Sequence, residues 1–259
     1  MQNEPQRFDA APDVPRDLVH EHWDKPETES MDDKIWLAAE TNLVRSFIPD
    51  HSRILECGCG EGETTAIYAD IPGVSIVACD YSATRLQMAL DRLHDVENVT
   101  LTRRDLRMGL PIGEFDVVLS QRFLINLAGW TEQKNVLLNM MDVVPPGGRI
   151  ILAEGSLQGQ AELNRVRKLM DLYPITQKWH NQFLDDNLLE EVLIERGKIL
   201  VKTGFGNFFL LTRGFRQVFD PVPHWDHRFN AVAASSEMRE ILNLGDRFSR
   251  IRVWVWEKA

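Results

Sequence analysis

Residues 54–62 read Ile54-Leu55-Glu56-Cys57-Gly58-Cys59-Gly60-Glu61-Gly62. An apolar run of strand character leads straight into three alternating glycines, and residues 63–70 then read as a helix. Strand, glycine turn and helix in that order build a ligand-binding turn at the carboxyl edge of an α/β sheet. The glycines permit a tight turn and let a ligand approach the backbone closely. A dinucleotide turn of the form G-x-G-x-x-G would carry its third glycine at position 63, where this chain has Glu63. A carboxylate there would face a pyrophosphate, which argues against NAD or FAD.

Outward from that turn, strands and helices alternate. Strand character recurs at 74–79, 98–102, 115–119 and 149–153, and helical spacing at 82–93 and 132–143. Ser82 is the expected N-cap of the first of these helices. Pro72-Gly73 and Pro145-Pro146-Gly147-Gly148 punctuate the pattern. Such alternation implies a parallel sheet with helices on both faces. Residues 31–47 predict an amphipathic helix stopped by Pro49, and residues 1–30 an irregular, polar arm. Beyond Glu154, residues 157–172 and 185–196 read as helices around a loop at 173–184. Strands are expected at 199–205 and 249–256, helix or strand at 208–219, and a loop at 220–228.

Three acids fall at successive strand ends. Glu56 closes the first strand, where a carboxylate suits a ligand's ammonium group. Asp80 closes the second, 22 residues after Gly58, the position from which a carboxylate holds two ribose hydroxyls. Asp105 follows the third, placed to accept from an exocyclic amine. Together they describe a pocket for an uncharged nucleoside carrying an amino acid.

The run 55–62, with Asp80, Asp105, Phe115-Asp116-Val117-Val118 and Pro145-Pro146-Gly147-Gly148, resembles the class I S-adenosylmethionine-dependent methyltransferases. The resemblance is dense over 53–154. It implies an α/β, Rossmann-like, doubly wound seven-stranded sheet whose last strand, 249–256, is antiparallel. It also implies an N-terminal arm and cap helix over 1–50, then a methyltransferase domain over 51–259 with an acceptor-side lid around 156–196. Carried over by motif, Glu56 with Gly58, Cys59, Gly60 and Gly62 holds the methionine part of the cofactor. Asp80 holds the ribose, Asp105 with Leu106 frames the adenine, and Tyr81 lies against the nucleoside. Ser120 or Gln121 closes the pocket beneath the sulfonium.

On the acceptor side, the resemblance extends to bacterial small-molecule and sugar methyltransferases, which implies a hydroxyl oxygen of a sugar or natural-product intermediate as acceptor. A hydroxyl must lose its proton, and a histidine is the fitting base. His180, between Trp179 and Asn181 in the loop over the site, is the candidate, with Asn181 or a carbonyl orienting its ring and Arg122 holding another part of the substrate. Asn126, Glu154, Asn164, Arg167 and Trp179 are the further acceptor contacts, although Arg122 and Arg167 also read as salt-bridging partners of Glu154 or Asp171. Trp36 reads as core or as lid. His224-Trp225-Asp226-His227 reads as a loop, and no metal is expected. The competing readings are an RNA or protein methyltransferase of the same fold, a non-catalytic binder of the cofactor, and a transferase using decarboxylated cofactor, against which Glu56 weighs.

Composition narrows the field. The chain has 259 residues, 44% hydrophobic and 26% charged, which suits one large domain with an embellishment. Its formal net charge of −10 disfavours nucleic acid and anionic membrane as partners. No apolar run reaches membrane-spanning length, and the first five residues carry no secretory signature. With only Cys57, Cys59 and Cys79 present, a disulfide framework is not expected, and the reading is a cytoplasmic protein with reduced thiols.

Overall fold

Five short runs rich in Val, Ile, Leu and Cys form the parallel part of the sheet: β1 (Arg53–Cys57), β2 (Ser75–Asp80), β3 (Val99–Arg103), β4 (Val117–Gln121) and β5 (Arg149–Gly155). Two C-terminal strands, β6 (Gly197–Gly204) and β7 (Ile251–Lys258), complete it. In this computed structural model, which describes residues 16–28, 31–220, 222 and 225–259, the strand order is β3-β2-β1-β4-β5-β7-β6. β7 runs antiparallel to both β5 and β6. The expected seven strands and the reversed last one are therefore present.

Strand alternation divides the core in two. Ile54 and Val117 face one cluster with Trp36, Tyr68 and Phe208, whereas Leu55 and Val118 face another with Phe115, Leu137 and Trp254. Along β7, Val253 and Val255 join the first cluster, and Trp254 and Trp256 the second. The two buried indoles are satisfied by Glu190 Oε1 at 3.0 Å and the Leu193 carbonyl at 2.7 Å.

Helices α1 (Arg16–Trp23) and α2 (Lys34–Arg45) precede the sheet. The crossovers carry α3 (Glu63–Ala69), α4 (Ala83–Arg92) and α5 (Trp130–Asp142), followed by α6 (Leu157–Leu169) and α7 (Asp186–Arg196). Ser82 caps α4 as expected, accepting from the Arg85 amide at 3.1 Å. The ambiguous stretch after β6 is helical, from Gly206–Phe209 through a π-helical Leu210–Phe215 to Arg216–Phe219. Helices Arg228–Ala234 and Ser236–Leu242 follow where the sequence pattern gave none. β1 lies between β2 and β4, so the chain reverses its winding there and opens a crevice at the carboxyl ends of those strands.

Candidate functional site

The crevice begins at the glycine turn. The Gly58 and Cys59 amides both donate to the Cys79 carbonyl, at 2.8 and 3.0 Å, which clamps the turn against β2. Gly58 has φ +74°, and a Cβ there would meet Phe123 Cδ2 at 2.8 Å. Gly60, at φ +54°, has no atom within 4 Å of where its Cβ would stand, so the turn leaves open space in front of its backbone. Asp80 braces the far side: its Oδ2 accepts from the Gly60 amide and its Oδ1 from the Ser82 amide, both at 2.9 Å. Burial raises the Asp80 carboxyl from its ordinary value. Glu56, nearly inaccessible, accepts from the Thr64 and Thr65 hydroxyls at 3.1 and 2.7 Å. Burial pushes its carboxyl up to about 7, against the pull of those two hydroxyls. Asp105 caps its own turn and binds Arg107 through two oxygens at 2.8 and 2.6 Å, which holds its carboxyl below the usual range.

These residues wall one end of a cavity of about 500 Å³. Glu56, Gly58, Cys59, Gly60, Asp80, Tyr81, Asp105, Leu106 and Gln121 line it; Gly62 and Ser120 stand behind the lining. Ser120 donates instead to Glu154 at 2.6 Å, and Gln121 accepts from Tyr68 at 2.5 Å.

Helix α1 roofs the cavity through Val19, His20 and Trp23. It is fastened from several sides. The Tyr81 hydroxyl donates to the His20 carbonyl at 2.9 Å, and the two rings stack at 4.2 Å. Trp23 Nε1 donates to Asn126 Oδ1 at 3.1 Å. Arg85 reaches up from α4 to the carbonyls of Trp23 and Thr28, and the Ser82 hydroxyl donates to Asp24 at 2.6 Å.

His180 lies under this roof, buried and lining the cavity, stacked on His22 at 4.3 Å. Its buried Nδ1 has no hydrogen-bond partner. Burial, then the charges of His22 and Lys178, lowers it to about 4, so the ring is neutral at physiological pH. The expected orienting bond is corrected: neither Asn181 nor a carbonyl holds that nitrogen. Nor is His180 the only histidine present, because α1 contributes His20 and His22.

Of the other expected acceptor contacts, Arg122, Asn126 and Asn181 line the cavity. Arg122 sits at φ +56°, its Nε 3.3 Å from Glu40, a fully buried carboxylate raised by burial and opposed by Arg122. Three residues are engaged elsewhere. Glu154 has no exposed surface and accepts from Ser120 and from the amides of Phe123, Leu124 and Ile125. Asn164 brackets the Ile175 backbone through both of its side-chain atoms, and Arg167 binds the Tyr173 and Arg213 carbonyls and Gln217. Trp179 is half exposed and meets His180 edge-on at 5.4 Å without lining the cavity. Between 156 and 196, the lining is confined to residues 175–183. Sequence reasoning missed Phe123, Phe209, Arg213, Trp225 and Arg250, all of which line the cavity, as does Trp23, which reads from the sequence as core, staple or lid. Trp36 lines it too, while packing on Phe205, Phe208 and Phe209. Among the described residues no three of His, Cys, Asp and Glu are gathered to hold a metal ion, and no helix is long and apolar enough to cross a membrane. His224 lies outside the described residues; His227 caps the helix that follows it.

Residues 54–148 match the family described as methyltransferase domain. By this match and its acidic strand ends, the stretch 54–148 is a methyltransferase domain of the class I S-adenosylmethionine-dependent kind. The chain is 31% identical over 121 residues to the ubiquinone/menaquinone biosynthesis C-methyltransferase UbiE of Ectopseudomonas mendocina, covering 44% of this chain and 46% of that one. It is 31% identical over 143 residues to the demethylmenaquinone methyltransferase of Clavibacter sepedonicus, covering 54% of each. The chain thus spans about half the length of these curated relatives. Its fold is that of the N-methyltransferase NodS from Bradyrhizobium japonicum WM9 in complex with S-adenosylhomocysteine, with a TM-score of 0.59 at 14% identity over 94% of this chain and 97% of that one. The [4+2]-cyclase SpnF shares it, with a TM-score of 0.62 at 15% identity over 96% and 99%.

Proposed function

We propose that this protein binds S-adenosylmethionine at the glycine turn and transfers its methyl group to a small-molecule acceptor held under α1, at a hydroxyl oxygen. The observation that carries the cofactor half is the chemistry of one cavity wall. It offers a buried carboxylate for an ammonium (Glu56), a carboxylate for vicinal hydroxyls (Asp80) and open space before Gly60. The bound cofactor supplies a methyl group already activated on a sulfonium. What remains for the protein is to orient the acceptor, exclude water and take a proton. Helix α1 and residues 175–183 border the cavity, Asn126 and Asn181 offer polar contacts, and neutral His180 lines it with its buried Nδ1 unpartnered, which supports it as the proton acceptor.

The aromatic lining, with Phe123, Phe183, Phe209 and Trp225, favours an apolar body over a sugar. It also supports a second reading, transfer to a ring carbon, in keeping with the C-methyltransferase named among the relatives. The formal net charge of −10 weighs against an RNA acceptor.

The cofactor assignment is tested by calorimetry with S-adenosylhomocysteine. Asp80 makes charge-assisted bonds to hydroxyls, about 1.5–3 kcal/mol each, so Asp80→Ala should weaken binding at least tenfold while the fold survives. Unchanged affinity in a folded mutant overturns the assignment. Incubation with methyl-labelled cofactor and either a metabolite extract or total RNA then separates the acceptor classes. Tight binding without transfer to either would point to a non-methylating use of the fold.

A further inference from the structure

The end of the cavity away from the glycine turn is rich in guanidinium groups. Arg213 and Arg250 line it, and Arg167 stands close behind. Among the described residues only one carboxylate pairs with these three: Asp33, 2.6 Å from Arg213. Arg167 binds two carbonyls and a glutamine, all neutral. Arg250 is held by Gln160 Oε1 at 3.1 and 2.9 Å and by the Thr176 carbonyl at 3.4 Å, again all neutral. Burial and the neighbouring Arg213 and Arg167 lower Arg250 to about 10, which leaves it charged at neutral pH. Lys178, exposed at the rim, adds a further positive charge with no ion-pair partner among the described residues.

Cations drawn from water without counter-charge are costly unless an anion joins them. A low-dielectric pocket focuses their field on such a ligand. The aromatic surroundings serve the same end: Arg250 lies over the Phe183 ring at 5.4 Å and Arg213 over Trp225 at 4.4 Å. A guanidinium lying over a ring face keeps its N–H donors in plane for an oxyanion, and Arg250, whose Nε and Nη2 are engaged by Gln160 and Thr176, has Nη1 left for one among the described residues. The exposed Asp32 also lines the cavity and is not paired with any of the three arginines.

We propose that the methyl acceptor is a small organic acid, an apolar body bearing a carboxylate or phosphate, whose oxyanion binds Arg250 with Arg213 and Lys178 adding to the attraction. The proposal rests on the methyltransferase reading and narrows its substrate class. It assigns Arg250 as a specificity-determining residue of the acceptor site.

The test uses the full chain saturated with S-adenosylhomocysteine, whose own binding, measured first, reports on the cofactor reading separately. Naphthalene-2-carboxylate, 2-naphthyl phosphate and neutral naphthalene-2-carboxamide are then titrated calorimetrically. At least one acid should bind tenfold or more tighter than the amide, and whichever acid binds tighter identifies the oxyanion. Arg250→Gln should abolish that preference with cofactor affinity unchanged, and Arg250→Lys should restore part of it. Acid and amide binding alike, or no saturable binding by any of the three, overturns the proposal. So does a preference that persists in a folded Arg250→Gln protein.

Discussion

At the glycine turn the cavity is walled by acids, Glu56, Asp80 and Asp105, each fixed by hydroxyls, amides or a side chain within about 20 residues of it. At the other end it is walled by arginines fixed by distant segments. Arg213 reaches Asp33 across 180 positions and Arg250 reaches Gln160 across 90. One end is a local motif and the other a product of tertiary packing. The acids of the first end fit a cofactor that brings cations there, and Arg250, without a carboxylate partner among the described residues, fits an acceptor that brings an anion to the second. The two ends meet where Gly58 lies against Phe123 and where α1 bridges Tyr81 to Asn126.

The largest expected effect separates the ends by function. His180 belongs to the acceptor side, and loss of a general base typically costs about 10²–10⁴ in rate. His180→Ala should therefore lower kcat by about 10² or more and leave S-adenosylhomocysteine affinity unchanged. Because the ring is lowered to about 4, it is unprotonated throughout the neutral range, so with cofactor saturating, its contribution to kcat should be flat from pH 5.5 to 8 and decline only in stronger acid. A near-normal kcat in the mutant would reduce His180 to a wall residue and favour transfer to carbon or to a carboxylate.

A smaller effect separates them by stability. Glu154 organises the loop after β4 by accepting four hydrogen bonds from Ser120, Phe123, Leu124 and Ile125. Glu154→Ala strands those donors in the interior, at about 3 kcal/mol in total. Urea denaturation should show that loss, and cofactor affinity in the folded fraction should be little changed because the glycine turn has its own supports. A loss below about 1 kcal/mol would mean that water or a shifted loop replaces the carboxylate. A large loss of cofactor affinity would show that the two ends are not separately built.

This contrast explains what could be read from the sequence. All seven strands were legible because each is a short apolar run with punctuation on either side, and the cofactor wall because its residues sit at fixed offsets from strand ends. The acceptor wall was partly legible. His180, Asn126 and Asn181, read from loop position alone, line the cavity, whereas Glu154, Asn164 and Arg167 do not, because strand-end and helix positions do not tell whether a side chain faces the cavity or the interior. Arg213 and Arg250 had no signal: one lies in a π-helical segment and the other just before β7, and only the fold brings them together. The roof was legible only as a polar arm, since His20, His22 and Trp23 gain meaning from Tyr81, His180 and Asn126 beneath them.

The smallest expected effect tests the acidic end through pH. Burial holds the Glu56 carboxyl at about 7, so near neutrality the empty site is only partly ionised. A ligand ammonium favours the ionised form, and binding therefore expels a proton from the protonated fraction. The sign follows: affinity is full above pH 7 and declines as pH falls through it, the ionised fraction dropping from about nine tenths at pH 8 to about one tenth at pH 6. S-adenosylhomocysteine should bind roughly tenfold more weakly at pH 6 than at pH 8. Calorimetry in buffers of different ionisation enthalpy should register proton release that is largest below pH 7. Glu56→Gln should bind more weakly at pH 8 and lose most of this pH dependence, since Glu154, the other carboxyl held at about 7, is buried behind the loop and does not line the cavity. Flat affinity from pH 6 to 8 in the native protein would show that Glu56 stays in one protonation state when the site fills, and that the ammonium is held by backbone carbonyls of the turn instead.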